Sequence, residues 1–282
     1  MTRFKAAALQ MRSGTDPEKN AETLARLVRE AAGHGATYIQ TPEMTGAVQK
    51  NRKGLMAVLK PEADDIIVKT AAELAREHGI HLHIGSTAIA VDDGMIANRA
   101  LLFGPQGDIL ARYDKIHMFD VDLDNGESWR ESAVYRPGDK AVLARLPFAA
   151  IGLGICYDVR FPDLYNAYGL AGAEVLTAPA AFTKQTGLAH WHVLQRARAI
   201  ENGAYMISAA QAGTHEDGRE TFGHSMIVDP WGKIIAEAGD EGEAAIIAEI
   251  DTDAVTAARG KVPNLKNIRA FALEEARALT EV

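Results

Sequence analysis

Seven small or apolar residues, Ala149-Ala150-Ile151-Gly152-Leu153-Gly154-Ile155, run into the only cysteine of the chain and then break into Tyr157-Asp158-Val159-Arg160-Phe161-Pro162. A run this short, closed by a polar turn, reads as a buried strand. Pro162 then opens a helix, where its missing N–H costs nothing. Gly152 and Gly154 alternate with bulky residues, so a neighbouring layer can approach closely. Strand, sharp turn and helix commit this part of the chain to an α/β arrangement. Cys156 falls at the carboxyl end of the strand, where such sheets bind ligands. Two readings of it stand: a nucleophile, or a small buried hydrophobe.

The remaining chain repeats the pattern. Residues 4–11 read as a strand, and residues 17–35 as a helix with Ala21, Leu24, Leu27, Val28 and Ala31 inward, capped by Asp16. A strand at 37–40 leads into Glu43, either a solvated loop residue or a strand-end carboxylate with a task. A helix at 63–78 precedes a strand at 80–85 with His81 and His83 on one face; with no third ligand nearby, the pair reads as structural. A hairpin, 98–103 and 109–113, delivers Lys115. In the acidic segment after Phe119, Asp120, Asp122, Asp124 and Glu131 suggest a calcium loop. Asn125 stands where the turn needs glycine, however, and no helices flank it, so a functional loop is the better reading. Beyond Cys156 follow a helix at 162–171, a strand at 174–178, a helix at 188–202, a strand at 205–210, a hairpin at 224–236, a strand at 244–250 and a helix at 252–260. His190 and His192 face different ways on their helix and cannot chelate as a pair. The expectation is a mixed sheet, in two packed layers flanked by helices. Residues 1–260 would be one domain, with a tail at 261–282 packing on it or on a partner subunit.

With 282 residues, 47% of them hydrophobic, the chain can bury a large core. A net charge of −8 without a basic stripe argues against nucleic acid as a partner. One cysteine excludes internal disulfides and fits a reducing cytoplasm. Met1-Thr2-Arg3-Phe4-Lys5 leads into a strand and not a signal peptide, and no apolar run has membrane-spanning length.

Glu43, Lys115 and Cys156 all sit at strand ends, and chemistry offers each a role. A thiol that is mostly protonated at neutral pH needs a base, which Glu43 supplies. Lys115 and the Tyr157 backbone N–H can hold a developing oxyanion. The product is a thioester, hydrolysed by water. Two other classes compete: a Cys–His hydrolase using one of the nine histidines, and a non-catalytic binding protein.

These residues lie in motifs that resemble the carbon–nitrogen hydrolases of the nitrilase superfamily. They are Pro42-Glu43, Tyr113-Asp114-Lys115-Ile116-His117, Gly154-Ile155-Cys156-Tyr157-Asp158-Val159-Arg160-Phe161-Pro162, Ala189-His190-Trp191, Arg196-Ala197-Arg198-Ala199-Ile200-Glu201-Asn202 and Gly223-His224-Ser225. The resemblance implies a four-layer α-β-β-α sandwich, no metal or organic cofactor, and a Glu43–Lys115–Cys156 triad. It also implies a supporting second glutamate, Glu131 in preference to Glu127, and a homodimer or higher homo-oligomer. It makes Arg160 an ion-pair partner of the site carboxylates and places Phe182, His190 and Trp191 in or behind the site. Gln211-Ala212-Gly213-Thr214-His215 and the stretch after Gly223 resemble the Nit subgroup. The expected reaction is hydrolysis of the primary amide of a small carboxylate-bearing compound. Deaminated glutathione comes first, then 2-oxoacid ω-amides, then N-carbamoyl compounds. Arg130, Lys184 and Arg219 are candidate clamps for the substrate acid, Lys184 foremost because it follows a strand end on the same edge as Cys156.

Overall fold

The structure, a computed structural model, describes residues 2–91, 94–123, 126 and 128–276. Glu127, Asp124 and Asn125, named above as candidates in the acidic loop, and the tail end at 277–282 lie outside the described residues.

Two six-strand paths form the centre. The first runs in the order Ala244–Asp251, Arg3–Gln10, Tyr38–Gln40, His81–Ala90, Ile96–Phe103, Ile109–Asp114, with Lys60–Pro61 beside the fourth. The second runs Ile234–Glu237, Met226–Val228, Tyr205–Ser208, Val175–Thr177, Ala150–Leu153, Val142–Arg145. The inner strands of each sheet are parallel, and the outer ones pair antiparallel. Period-two alternation assigns the faces. On Arg3–Gln10, Ala7 and Leu9 pack with Leu24, Leu27, Ile67 and Leu74 of the helices Pro17–Gly33 and Ile66–His78. Ala6 and Ala8 instead join Ile151, Leu153, Val175 and Met206 of the second sheet. Helices Pro162–Leu170 and Lys184–Asn202 cover the outer face of that sheet through Tyr165, Tyr168 and Trp191. The result is the four-layer α-β-β-α sandwich.

The small residues around Cys156 behave as expected. A Cβ on Gly152 would lie 2.7 Å from the Tyr168 ring, and one on Gly154 would lie 2.6 Å from the Tyr165 hydroxyl. Asp16 caps its helix by accepting from the Glu18 N–H at 3.0 Å. His83 is buried, with Nδ1 2.8 Å from the Tyr38 hydroxyl, and His81 meets Phe148 edge-on, so both are packing residues. In the acidic loop the strand Asp120–Asp122 pairs with Ser128–Arg130; Asp120 bonds to Ser132, and Asp122 to Ser128 and Arg130. Elements without a periodic signal strong enough to read include the helix Arg52–Val58, the strand Val142–Arg145 and the paired strands Ala212–Thr214 and Glu220–Phe222.

One contact aligns the two sheets' loops. A Cβ on Gly85 would fall 2.1 Å from the Thr41 carbonyl, 2.4 Å from Pro179 Cβ and 2.7 Å from the Pro42 carbonyl. Glu43 follows the first loop and Ala181 the second, so Gly85 sets how closely they approach. Gly85→Ala is expected to cost at least about 1–3 kcal/mol, the range for overpacking. Differential scanning calorimetry should show a Tm lower by several degrees, with catalytic loss beyond what the stability change explains.

Candidate active site

Glu43, Lys115, Glu131 and Cys156 come from four separate elements and meet at one end of the sandwich. Glu43 leaves the loop after Tyr38–Gln40, and its Oε2 accepts from the Ala181 N–H at 2.9 Å, across the sheet interface. Lys115 follows the strand Ile109–Asp114 and is only 2% exposed. Its Nζ lies 2.9 Å from Glu43 Oε1 and 2.8 Å from Glu131 Oε2. Glu131 opens a 3₁₀ turn, Glu131–Ala133, and also accepts from the Phe119 N–H at 2.7 Å. Cys156 heads the 3₁₀ turn Cys156–Arg160 at φ 50°, and Met44, beside Glu43, stands at φ 56°. Left-handed backbone on such side chains is strained, and such strain clusters at working sites.

Asp158 holds the cysteine turn. Its side chain, fully buried, accepts from the Tyr113 hydroxyl at 2.7 Å, the Ile155 N–H at 2.9 Å and the His117 N–H at 3.0 Å, with His117 Nδ1 at 2.7 Å. Asn98, absent from the candidates above, donates through Nδ2 to Glu43 Oε1 at 3.0 Å and to Glu131 Oε1 at 3.1 Å. Its signal was available: a lone amide inside the apolar run Ile96-Ala97-Asn98-Arg99-Ala100-Leu101. Gln211 likewise fixes the loop, donating from Nε2 to the Glu43 carbonyl at 3.0 Å.

The electrostatics follow from this packing. Burial pushes the Glu43 carboxyl up, but Lys115, the Cys156 thiol and Asn98 outweigh it and hold it below the usual carboxylate range. Burial opposes the Lys115 charge, but Glu131 and Glu43 together raise its pKa well above the usual value. Burial, then the charge of Glu43, pushes the Cys156 thiol well up, and Lys115 only partly offsets them. At rest the thiol therefore keeps its proton, facing a charged carboxylate and a charged ammonium.

A cavity of about 540 Å³ opens over these groups. Tyr135, Tyr157, Phe119, Phe182 and Trp129 wall it, and Arg130 and Arg219 stand among its lining residues. The Arg219 guanidinium lies 4.4 Å from the Trp129 ring centroid, and its buried Nε has no hydrogen-bond partner among the described residues. Several expectations need correction. Lys184 is the first residue of a helix capped by Thr183, exposed and outside the cavity lining, because the helix begins four residues before the periodic stretch at 188–202. Arg130 pairs with Asp122 at 2.8 Å. Arg160 forms no ion pair with Glu43 or Glu131; it stacks over Tyr157 and Phe182 at 5.8 and 5.3 Å. His190 is exposed beside Arg160 at 3.2 Å and does not line the cavity; Trp191 is buried behind Phe182, which does line it.

The profile of the family described as "Carbon-nitrogen hydrolase" matches residues 5–260. The chain is 38% identical over 272 residues to a deaminated glutathione amidase of Yersinia enterocolitica, covering 95% of this chain and 94% of that protein. It is 35% identical over 273 residues to the human omega-amidase NIT2, covering 95% and 96%. The solved Caenorhabditis elegans NitFhit protein superimposes with a TM-score of 0.86 at 34% identity, over 95% of this chain and 66% of that longer one. Saccharomyces cerevisiae Nit3 gives 0.84 at 29%, over 93% and 95%. Sandwich, site and relatives define a nitrilase-superfamily protein. The chain belongs to the carbon–nitrogen hydrolase family, within its Nit subgroup.

Two outcomes are expected. Asn98→Asp, which sets a third carboxylate against Glu43 and Glu131, should lower kcat by about a hundredfold or more, as loss of one preorganised site contact does; steady-state kinetics alongside circular dichroism checks it. The pH–rate profile should be flat through neutrality. Glu43, depressed, loses its charge only below the ordinary range of about 4.3, and Cys156, raised, ionises only above about 8.5. An inflection near 6.5 would point to a histidine base instead.

Proposed function

We propose that the protein hydrolyses the primary amide of a small carboxylate-bearing compound through a Cys156 thioester. The observation that carries this reading is geometric: Cys156, Glu43 and Lys115 line one cavity, with Lys115 Nζ 2.9 Å from Glu43 Oε1. Sγ attacks the amide carbon while its proton passes to Glu43. The oxygen takes the negative charge, held by the Lys115 ammonium and the Tyr157 N–H. Glu43 then protonates the nitrogen, the C–N bond breaks, and ammonia leaves. Water attacks the thioester with Glu43 again as base, and the acid departs. Glu131 and Asn98 act through position, keeping Lys115 charged and Glu43 aimed.

The substrate class rests on the relatives' names and on Arg219. A cavity-lining guanidinium stacked on Trp129, with no carboxylate partner among the described ion pairs, suits a substrate acid better than Arg130, which is paired with Asp122, or the exposed Lys184. Deaminated glutathione is the first choice, then 2-oxoacid ω-amides. We also infer a homo-oligomer, at least a dimer. Leu188, Val193 and Ile200 are 71, 67 and 51% exposed on one helix, with Trp231 60% exposed near Ile200, and Phe271 and Leu273 stand out at 90 and 88% in the tail after the 1–260 domain. No helix among the described residues is long and apolar enough to cross a membrane. A cytoplasmic location rests on the single, free thiol.

Cys156→Ser should remove ammonia release while leaving Tm near wild type; turnover close to wild type would make Cys156 structural and the thioester mechanism wrong, whereas no ammonia release by the unaltered chain would leave the binding-protein reading. Arg219→Ala should raise KM for deaminated glutathione at least about tenfold and spare propionamide, the signature of a binding clamp. Equal effects on both amides would dismiss the clamp. Light scattering should give a mass above the 30.4 kDa of one chain.

A further inference from the structure

Outside the cavity, three ligand-type side chains from three separate elements converge. His192 lies in the helix Lys184–Asn202, His224 just before the strand Met226–Val228, and Glu237 at the end of the edge strand Ile234–Glu237. His192 Nε2 is 2.7 Å and His224 Nδ1 2.8 Å from the same Glu237 oxygen, and the three ligand atoms all lie within 4.8 Å of one another. None of the three lines the candidate active site.

The cluster is built rather than incidental. His224 stands at φ 55°, a conformation that costs energy for a residue with a Cβ. Its carbonyl accepts from the buried Trp191 Nε1 at 2.8 Å. The Phe222 ring stacks on His224 at 4.4 Å and meets His192 edge-on at 5.9 Å, fixing both imidazoles. The side chains remain 36, 25 and 31% exposed, which leaves a solvent side open.

We propose that His192, His224 and Glu237 form a binding site for a divalent transition-metal ion of the zinc type. Two imidazoles and one carboxylate are zinc ligands, and three protein ligands leave a fourth position for water on the open side. A tetrahedral ion with bonds of about 2.0–2.1 Å holds its ligand atoms roughly 3.3 Å apart, so the cluster opens by about half an ångström to admit it. On binding, each facing nitrogen gives up the proton it donates to Glu237, which passes through solvent to His192 Nδ1 or His224 Nε2 in a neutral ring, or is released from a charged one, and the freed nitrogens bind the ion. Both rings now direct those nitrogens at one oxygen, so the ion replaces two N–H bonds to a shared acceptor. Bound metal ties the helix Lys184–Asn202 to the edge of the second sheet. The same helix, through Thr186 and its cap Thr183, lines the cavity, so the ion braces a wall of the site without entering it.

The test is calorimetric titration of the full-length Cys156→Ser protein with ZnCl₂, the serine removing the thiol as a rival ligand. About one equivalent per chain should bind. Glu237→Gln and His192→Gln, each placed in that background and checked by circular dichroism, should each weaken it at least tenfold. Zinc should also raise Tm in the parent and not in the variants, since a ligand of the native state alone stabilises it. Crystals of the unaltered chain grown with zinc should show anomalous scattering between the three side chains, a readout independent of any variant's folding. No binding, affinity unchanged by both substitutions, or zinc scattering only elsewhere would overturn the site. Binding is read without turnover, so these outcomes stand apart from the amidase reading.

Discussion

Lys115 is a buried ammonium clamped between two buried or nearly buried carboxylates, and the site's architecture follows from accommodating it. A lone charge in such a place is prohibitive, and removing one partner of a buried pair typically costs about 3–5 kcal/mol. Here the charge is met by Glu43 and Glu131, and the two carboxylates, which would repel one another, are bridged by the ammonium and by the Asn98 amide. Two negative groups and one positive leave the centre acidic. A thiolate would add a second net negative charge, so Cys156 holds its proton until a substrate oxygen can carry the charge instead. Base, oxyanion partner and nucleophile are thereby coupled through one network.

The second constraint is mechanical. Cys156 sits at a positive φ that the polypeptide does not choose unaided, and the turn survives because Asp158 gathers two backbone N–H groups, a tyrosine hydroxyl and the His117 ring around it. The apolar strand behind it is pinned by tyrosines packed on Gly152 and Gly154. Gly85 sets the approach of the loops that bring Glu43 across to Ala181. The two sheets thus contribute opposite halves of the site, and their packing is part of the chemistry.

Much of this was legible in the chain. Strand–turn–helix around Cys156, the strand-end positions of Glu43 and Lys115, and the paired sheets all follow from periodicity and turn residues. Glu131 came from family resemblance, because nothing local separates it from the other acids of its segment. Asn98 is visible in the sequence as a lone amide in a strand, but its partners Glu43 and Glu131, like the contact of Gln211 with the Glu43 loop, join elements distant in sequence, which no local pattern encodes. Lys184 was misjudged through a boundary error, since Thr183 caps the helix four residues before its periodicity becomes visible. The His192–His224–Glu237 cluster was likewise unreadable, its members joined only by the meeting of helix and sheet edge.

The central claim is that the Lys115 clamp leaves Glu43 charged and Cys156 neutral at rest. Because the chain has a single cysteine, the thiolate ultraviolet absorbance of wild type minus Cys156→Ser reports that group alone. The account predicts no thiolate signal through neutrality, with absorbance rising only above the ordinary thiol value of about 8.5. A thiolate already formed at neutral pH would contradict it and assign activation to an ion pair instead of to Glu43.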